Sequence, residues 1–256
     1  MKKSEIKNIL DEAHDKFNNL NFIELDPISI PHRFKKKEDI EISAFLMATI
    51  SWGQRKSILK NGDTLMNLMD NSPHEFIVET NFEKLKSKAT KEFVHRTFNG
   101  EDLFFFFKSL QRIYLKHKGL ENLFSQYSAN ENAVKDGIYF FRNEFLGDKI
   151  NRSFKHVSNP TENSACKRLN MCLRWLVRND RRGVDFGIWK KLNTSQLYCP
   201  LDVHSGSVAR SLGILNRKQN DWKATEELTI NLRTFCADDP IKYDFSLFGI
   251  GVNKMK

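Results

Sequence analysis

Apolar residues recur every three or four positions along most of the chain, which is the spacing of one face of an α-helix. The pattern is clear over residues 4–20, where five apolar side chains share a stripe: Ile6, Ile9, Leu10, Ala13 and Phe17. Residues 38–52 are apolar on almost every side, which predicts a buried central helix. The same reasoning predicts further helices over residues 58–69, 103–114, 131–145, 164–178, 203–212 and 222–234.

Glycine and proline are scarce, with 12 Gly and 6 Pro among 256 residues. Typical usage is about 7% and 5%, so a turn-rich β architecture is disfavoured and an all-α fold is predicted. The hydrophobic content of 40% is enough for a sizeable core. No low-complexity linker divides the chain, so we expect residues 1–256 to form a single globular unit that acts as a monomer.

No run of apolar residues approaches the roughly 18 that a membrane span needs. The chain begins with a charged amphipathic segment rather than a signal peptide, so we expect a cytoplasmic protein without a membrane partner. The four cysteines form no C-x-x-C pair: Cys166, Cys172, Cys199 and Cys236. We expect reduced, buried thiols, with no metal site and no cofactor.

Positive charge is concentrated between residues 151 and 191, where ten Lys and Arg stand against three Asp and Glu. This segment carries +7 of a total of +9. Concentrated positive charge attracts phosphate backbones. In the helix predicted over 164–178, Lys167, Arg174 and Arg178 lie opposite the apolar stripe. That face is either an ordinary solvated surface or one that faces nucleic acid.

The segment from Cys199 to Arg210 places an acid at the start of a predicted helix. Pro200 fixes its own φ and disfavours helix at Cys199, so the helix begins beyond it and Asp202 lies at the N-cap. Asp202 then either caps free backbone amides, worth about 1 kcal/mol, or is a carboxylate held ionised at the edge of a cleft by the helix dipole.

Four segments of the chain resemble an uncharacterised bacterial family of unknown function: residues 164–171, 183–189, 200–204 and 243–249. The third, Pro-Leu-Asp-Val-His, is in turn similar to the Asp-Thr-His-Val stretch of the helix-hairpin-helix DNA glycosylases. Residues 50–54, Ile-Ser-Trp-Gly-Gln, resemble the early Leu-Ser-Gln segment of the same superfamily.

The glycosylase resemblance implies two all-α lobes around a cleft, one formed by residues 1–37 and about 185–256, the other by about 38–184. The helix-hairpin-helix region would lie at 155–178. Asp202 would be the catalytic acid, and Lys167 the amine that forms a Schiff base. The hairpin lacks Gly-x-Gly, and 35 residues separate Lys167 from Asp202. Both features resemble the archaeal 8-oxoguanine glycosylase branch.

The resemblance therefore implies a base-excision glycosylase with AP-lyase activity, acting on duplex DNA that contains an oxidised purine such as 8-oxoguanine. Seven residues are expected to contact DNA or the damaged base: Gln54, Trp52, Arg55, Arg168, Arg174, Arg178 and His204. Two alternatives stay open. One is a non-catalytic nucleic-acid-binding protein in which Lys167 holds phosphate. The other is a monofunctional glycosylase that uses Asp202 alone.

The turn after the buried helix is the second place where chemistry is expected. Gly53 suits a helix C-terminus, and a new helix begins beyond it. Gln54 is either a surface turn residue or a side chain that fills the gap left by an extruded base. Trp52 is either a core residue or a wall against which such a base stacks.

Overall fold

A computed structural model describes residues 1–85, 90–148 and 152–254, and over this part of the chain the fold is mostly helical, as predicted. The helices are α1 (Lys3–Phe17), α2 (Asn21–Glu24), α3 (Lys37–Ile50), α4 (Arg55–Leu68), α5 (Pro73–Glu79), α6 (Phe82–Leu85), α7 (Gly100–His117), α8 (Leu120–Phe124), α9 (Ala133–Leu146), α10 (Lys167–Val177), α11 (Val203–Ser211), α12 (Trp222–Arg233) and α13 (Tyr243–Lys254). Two short antiparallel strands, β1 (Val94–His95) and β2 (Phe98–Asn99), pair Val94 with Asn99 and His95 with Phe98.

The chain divides into two compact units, one formed by Met1–Glu24 and Asn159–Lys256, the other by Leu25–Ser158. The predicted lobes had their boundaries at residues 37 and 184 instead. The first unit includes α10 because Arg174 on this helix forms an ion pair with Asp244 near the carboxyl terminus. Residues after Leu25 join the second unit because the apolar side chains of Ile28 and Ile30 are completely buried there.

In the second unit, α3 is buried on most sides, as predicted, but it ends at Ile50, two residues before the predicted end at 52. The Phe45 ring packs edge-on against Phe141 and Phe145, with ring centroids 5.3 Å apart in both cases. Phe45 is also stacked on Phe106 at 5.9 Å. Aromatic pairs at these distances are typical of a core built from large rings.

In the first unit, α1 packs against α13. The Ser246 hydroxyl donates a hydrogen bond of 2.6 Å to the carbonyl of Leu10, and His14 Nδ1 lies 2.9 Å from the carbonyl of Lys242. Gly249 makes this close packing possible, because a Cβ there would lie 2.2 Å from the Phe17 ring. No helix among the described residues is long and apolar enough to cross a membrane.

Candidate active site

Asp202 is the N-cap of α11, as the proline-fixed approach predicts. Its backbone is extended, and its Oδ1 accepts hydrogen bonds from the backbone N–H groups of His204 at 2.9 Å and Ser205 at 3.0 Å. The Ser205 hydroxyl accepts the Asp202 N–H in return, at 2.9 Å, which completes a capping box. Asp202 therefore caps α11, and the capping hydrogen bonds are made to its Oδ1 atom.

The second oxygen of Asp202 faces Lys167. Lys167 Nζ lies 3.9 Å from Asp202 Oδ2, and each side chain is about a quarter exposed, 26% for Lys167 and 25% for Asp202. The two residues are 35 positions apart in the sequence. The fold therefore places an amine and a carboxylate together at the amino-terminal ends of α10 and α11, partly open to solvent.

The segment before α10 positions Lys167. A 3₁₀ turn over Pro160–Glu162 begins at Asn159, and the chain then passes through Asn163 and Cys166 in the left-handed region, with φ of 61° and 49°. Two non-glycine residues thus take up the change of chain direction before α10. The Asn170 amide on α10 donates to the Ala165 carbonyl at 3.1 Å, which holds the helix start against this turn.

Asp244, the second residue of α13, is a buried acid beside the lysine–aspartate pair. It forms an ion pair with Arg174. Burial raises the pKa of Asp244 to about 6; Asp202 adds to this rise, whereas Arg174 and Lys167 oppose it. Sequence reasoning missed this residue. The available signal was an acid placed among apolar residues, since Tyr243, Phe245 and Leu247 surround it in the sequence.

Arg174 and Arg178 do not form the expected surface, because both are buried, at 4% and 1% exposure. Arg174 pairs with Asp185 and Asp244, and Arg178 with Asp180, Asp185 and Asp239. Both do lie opposite the apolar stripe of α10, but acidic residues from later in the chain cover that face. The structure therefore encloses both guanidinium groups in ion pairs and does not present them at the surface, where a phosphate would contact them.

The two remaining predicted residues of this unit are partly buried. Arg168 follows Lys167 on α10, and burial lowers the pKa of its guanidinium to about 10. The His204 ring lies edge-on to Phe248, with centroids 6.2 Å apart. No described residue forms a hydrogen bond with the buried Nδ1 atom of His204. His204 is also one of the residues whose backbone N–H binds Asp202.

Trp52, Gln54 and Arg55 belong to the other unit. Trp52 is partly exposed, and Gln54 and Arg55 are exposed where α4 begins. Gln54 is the N-cap residue of α4, but its side chain makes no capping hydrogen bond. These positions fit a turn that presents polar groups outward. Among the described residues, no group of three or more His, Cys, Asp or Glu side chains could hold a metal ion.

The fold and site together define a mostly helical protein with a lysine–carboxylate pair at two helix starts. Comparison with protein families shows that the chain belongs to the family described as "Protein of unknown function (DUF2400)", whose model matches residues 26–253. This confirms the expected membership in a family of unknown function. No curated protein and no solved structure gave a significant match. The likeness to helix-hairpin-helix glycosylases stays a prediction.

Proposed function

We propose that this protein is a DNA base-excision glycosylase with AP-lyase activity, which removes an oxidised purine such as 8-oxoguanine through a Schiff base on Lys167. The observation that supports this proposal is the 3.9 Å distance between Lys167 Nζ and Asp202 Oδ2. An amine and a carboxylate that converge from distant parts of a sequence, in a partly exposed position, are the two groups that the reaction needs.

In the proposed reaction, the neutral amine of Lys167 bonds to C1′ of the damaged nucleotide. The glycosidic bond breaks, and its electron pair leaves with the base, which takes up a proton. The amine then loses a proton as the C1′–O4′ bond opens, giving an imine. Loss of a proton from C2′ expels the 3′ phosphate and cleaves the strand. The carboxylate of Asp202 stabilises the cationic sugar and accepts a proton.

Exposed positive charge supports a nucleic-acid substrate. Arg174 and Arg178 are excluded by their burial, but six other basic side chains between residues 151 and 191 are exposed: Arg152, Lys155, Arg181, Arg182, Lys190 and Lys191. Side chains of this kind neutralise phosphates and make affinity fall with added salt. Contacts with the phosphate backbone therefore fall to these residues rather than to the buried part of α10.

Borohydride trapping tests the proposal, because reduction converts an imine into a stable covalent adduct. A duplex with one 8-oxoguanine should yield a protein–DNA adduct, and Lys167→Gln should abolish it, since glutamine forms no imine. Lys218→Gln is the matched control, an exposed lysine outside the basic segment, and should leave adduct formation unchanged.

Asp202→Asn separates the capping role from the catalytic one. Asparagine caps a helix about as well as aspartate does, so folding should be nearly intact while base release falls by orders of magnitude. An adduct that persists in Lys167→Gln would move the nucleophile to another amine. Base release without any adduct would identify a monofunctional enzyme, and binding without base release on any lesion would identify a non-catalytic protein.

A further inference from the structure

Trp52 differs from the other tryptophans in its exposure. Trp175, Trp189 and Trp222 are buried, at 0%, 1% and 2% exposure, whereas Trp52 is partly exposed. It lies just beyond the carboxyl-terminal end of α3, in the turn that leads to α4. Part of Trp52 therefore faces solvent, whereas the three other tryptophans are enclosed in the core.

Two histidines hold the Trp52 ring and backbone in place. His156 is stacked on the indole, with ring centroids 5.9 Å apart and an interplanar angle of 18°, and His95 meets it edge-on at 5.1 Å. Asn61 Nδ2 lies 2.8 Å from His95 Nδ1, and His95 Nε2 lies 3.0 Å from the Trp52 carbonyl. The amide donates to Nδ1, so Nε2 carries the hydrogen that binds the carbonyl.

Arg96 places a cation beside the turn that contains Trp52 and Gly53. It lies at the tip of the β1–β2 hairpin, in the left-handed region with φ of 56°. Its guanidinium covers Gly53, the residue after Trp52; a Cβ at Gly53 would lie 3.0 Å from Arg96 Nη1. Gly53 itself has φ of +100°, which favours glycine. Arg96 is exposed and forms no ion pair with any described residue.

We propose that Trp52 and Arg96 form a binding site for an unpaired nucleotide, with the base stacked on the indole and the adjoining phosphate bound by the guanidinium. An aromatic platform next to a cation is the arrangement by which proteins bind single strands without reading their sequence. The choice of nucleic acid rests on the proposed function. The site itself needs neither Lys167 nor a damaged base, and it belongs wholly to the unit formed by Leu25–Ser158.

Tryptophan fluorescence, titrated with an undamaged oligo(dT) 20-mer, tests this site. We expect quenching that saturates, because base stacking acts on the one tryptophan that is accessible, and Trp52→Phe should remove the signal. With a labelled strand and anisotropy, Trp52→Ala should weaken binding about 5- to 100-fold. Arg96→Ala should weaken it and lower the salt slope by about one phosphate contact.

Arg33→Ala is the matched control, because Arg33 is also an exposed arginine of the unit formed by Leu25–Ser158 and lies outside the basic segment of residues 151–191. Its removal should change affinity far less than that of Arg96. Titrations with oligo(rU) and with a DNA duplex show which kind of nucleic acid the site binds. Quenching by both single strands assigns the site to unpaired nucleotides of either sugar, and quenching by the duplex alone overturns the proposal.

Unchanged affinity in both Trp52→Phe and Arg96→Ala, or the absence of quenching by any single strand, would also overturn it. Phenylalanine keeps an aromatic ring between the histidines, so this variant remains informative if Trp52→Ala fails to fold. Lys167→Gln should retain full quenching. A protein that binds oligo(dT) through Trp52 but forms no borohydride adduct would refute the proposed enzyme and leave this site intact.

Discussion

Positive charge is partly exposed at the start of α10 and buried toward its end. At its start, Lys167 is 26% exposed and lies 3.9 Å from one oxygen of Asp202. Toward its end, Arg174 and Arg178 are buried, and each forms ion pairs with at least two carboxylates. A cation that is fully paired and buried stabilises the fold, whereas a loosely paired and accessible one is free for chemistry. Burial and pairing, and not charge alone, tell the two apart.

The largest effect should come from breaking the buried end. Burial lowers the pKa of the Arg178 guanidinium, but Asp185, Asp239 and Asp180 together raise it above its ordinary value. Arg178→Leu leaves the buried Asp185 and the partly buried Asp180 and Asp239 without this partner, so the unfolding free energy should fall by about 3–5 kcal/mol. Urea denaturation measures this loss. Arg181→Leu, at an exposed position, should change stability by only about 0.5 kcal/mol.

A smaller effect should appear as a pH dependence at Asp244, which links the two ends through Arg174 and Lys167. Its pKa rises from 3.8 to about 6 in the folded protein. The folded state therefore binds this proton more tightly than the unfolded chain does. The resulting stability is complete below about pH 4 and is lost as the pH rises through 6.

Asp244→Asn removes this proton-binding group. The stability of the natural protein relative to this variant should therefore fall by about 2–3 kcal/mol between pH 4 and pH 6.5, as measured by denaturation at each pH. Asp180→Asn is a control with the opposite sign. Burial raises the pKa of Asp180 and Arg178 lowers it, and the net result is a pKa below the ordinary value in the folded protein. The stability that Asp180 contributes is therefore present above the ordinary pKa and is lost as the pH falls. Parallel pH curves for the two variants would contradict the assignment.

The smallest effect on stability should follow Lys167→Gln at the open end. A partly exposed pair at 3.9 Å contributes little, so the unfolding free energy should change by about 1 kcal/mol or less. A loss comparable to that of Arg178→Leu would show that Lys167 is a structural cation. Comparing this small change with the loss of the borohydride adduct in the same variant sharpens the contrast between the two ends.

Local features of the sequence determined the helices and their starts. The apolar stripes predicted α1 and α10, the nearly unbroken apolar run predicted the buried α3, and Pro200 with Asp202 predicted the start of α11. These features depend on neighbours within a few positions, such as a side-chain oxygen and the N–H groups two or three residues later. They are readable without knowing what lies across the fold.

Only the tertiary structure decided what covers each face. Helical periodicity correctly placed Lys167, Arg174 and Arg178 opposite the apolar stripe of α10, but it could not show that Asp239 and Asp244 bury the two arginines. Those acids come more than 60 residues later than their partners. An ion pair depends on distance in space, and a periodic pattern carries no information about which distant segment packs against it.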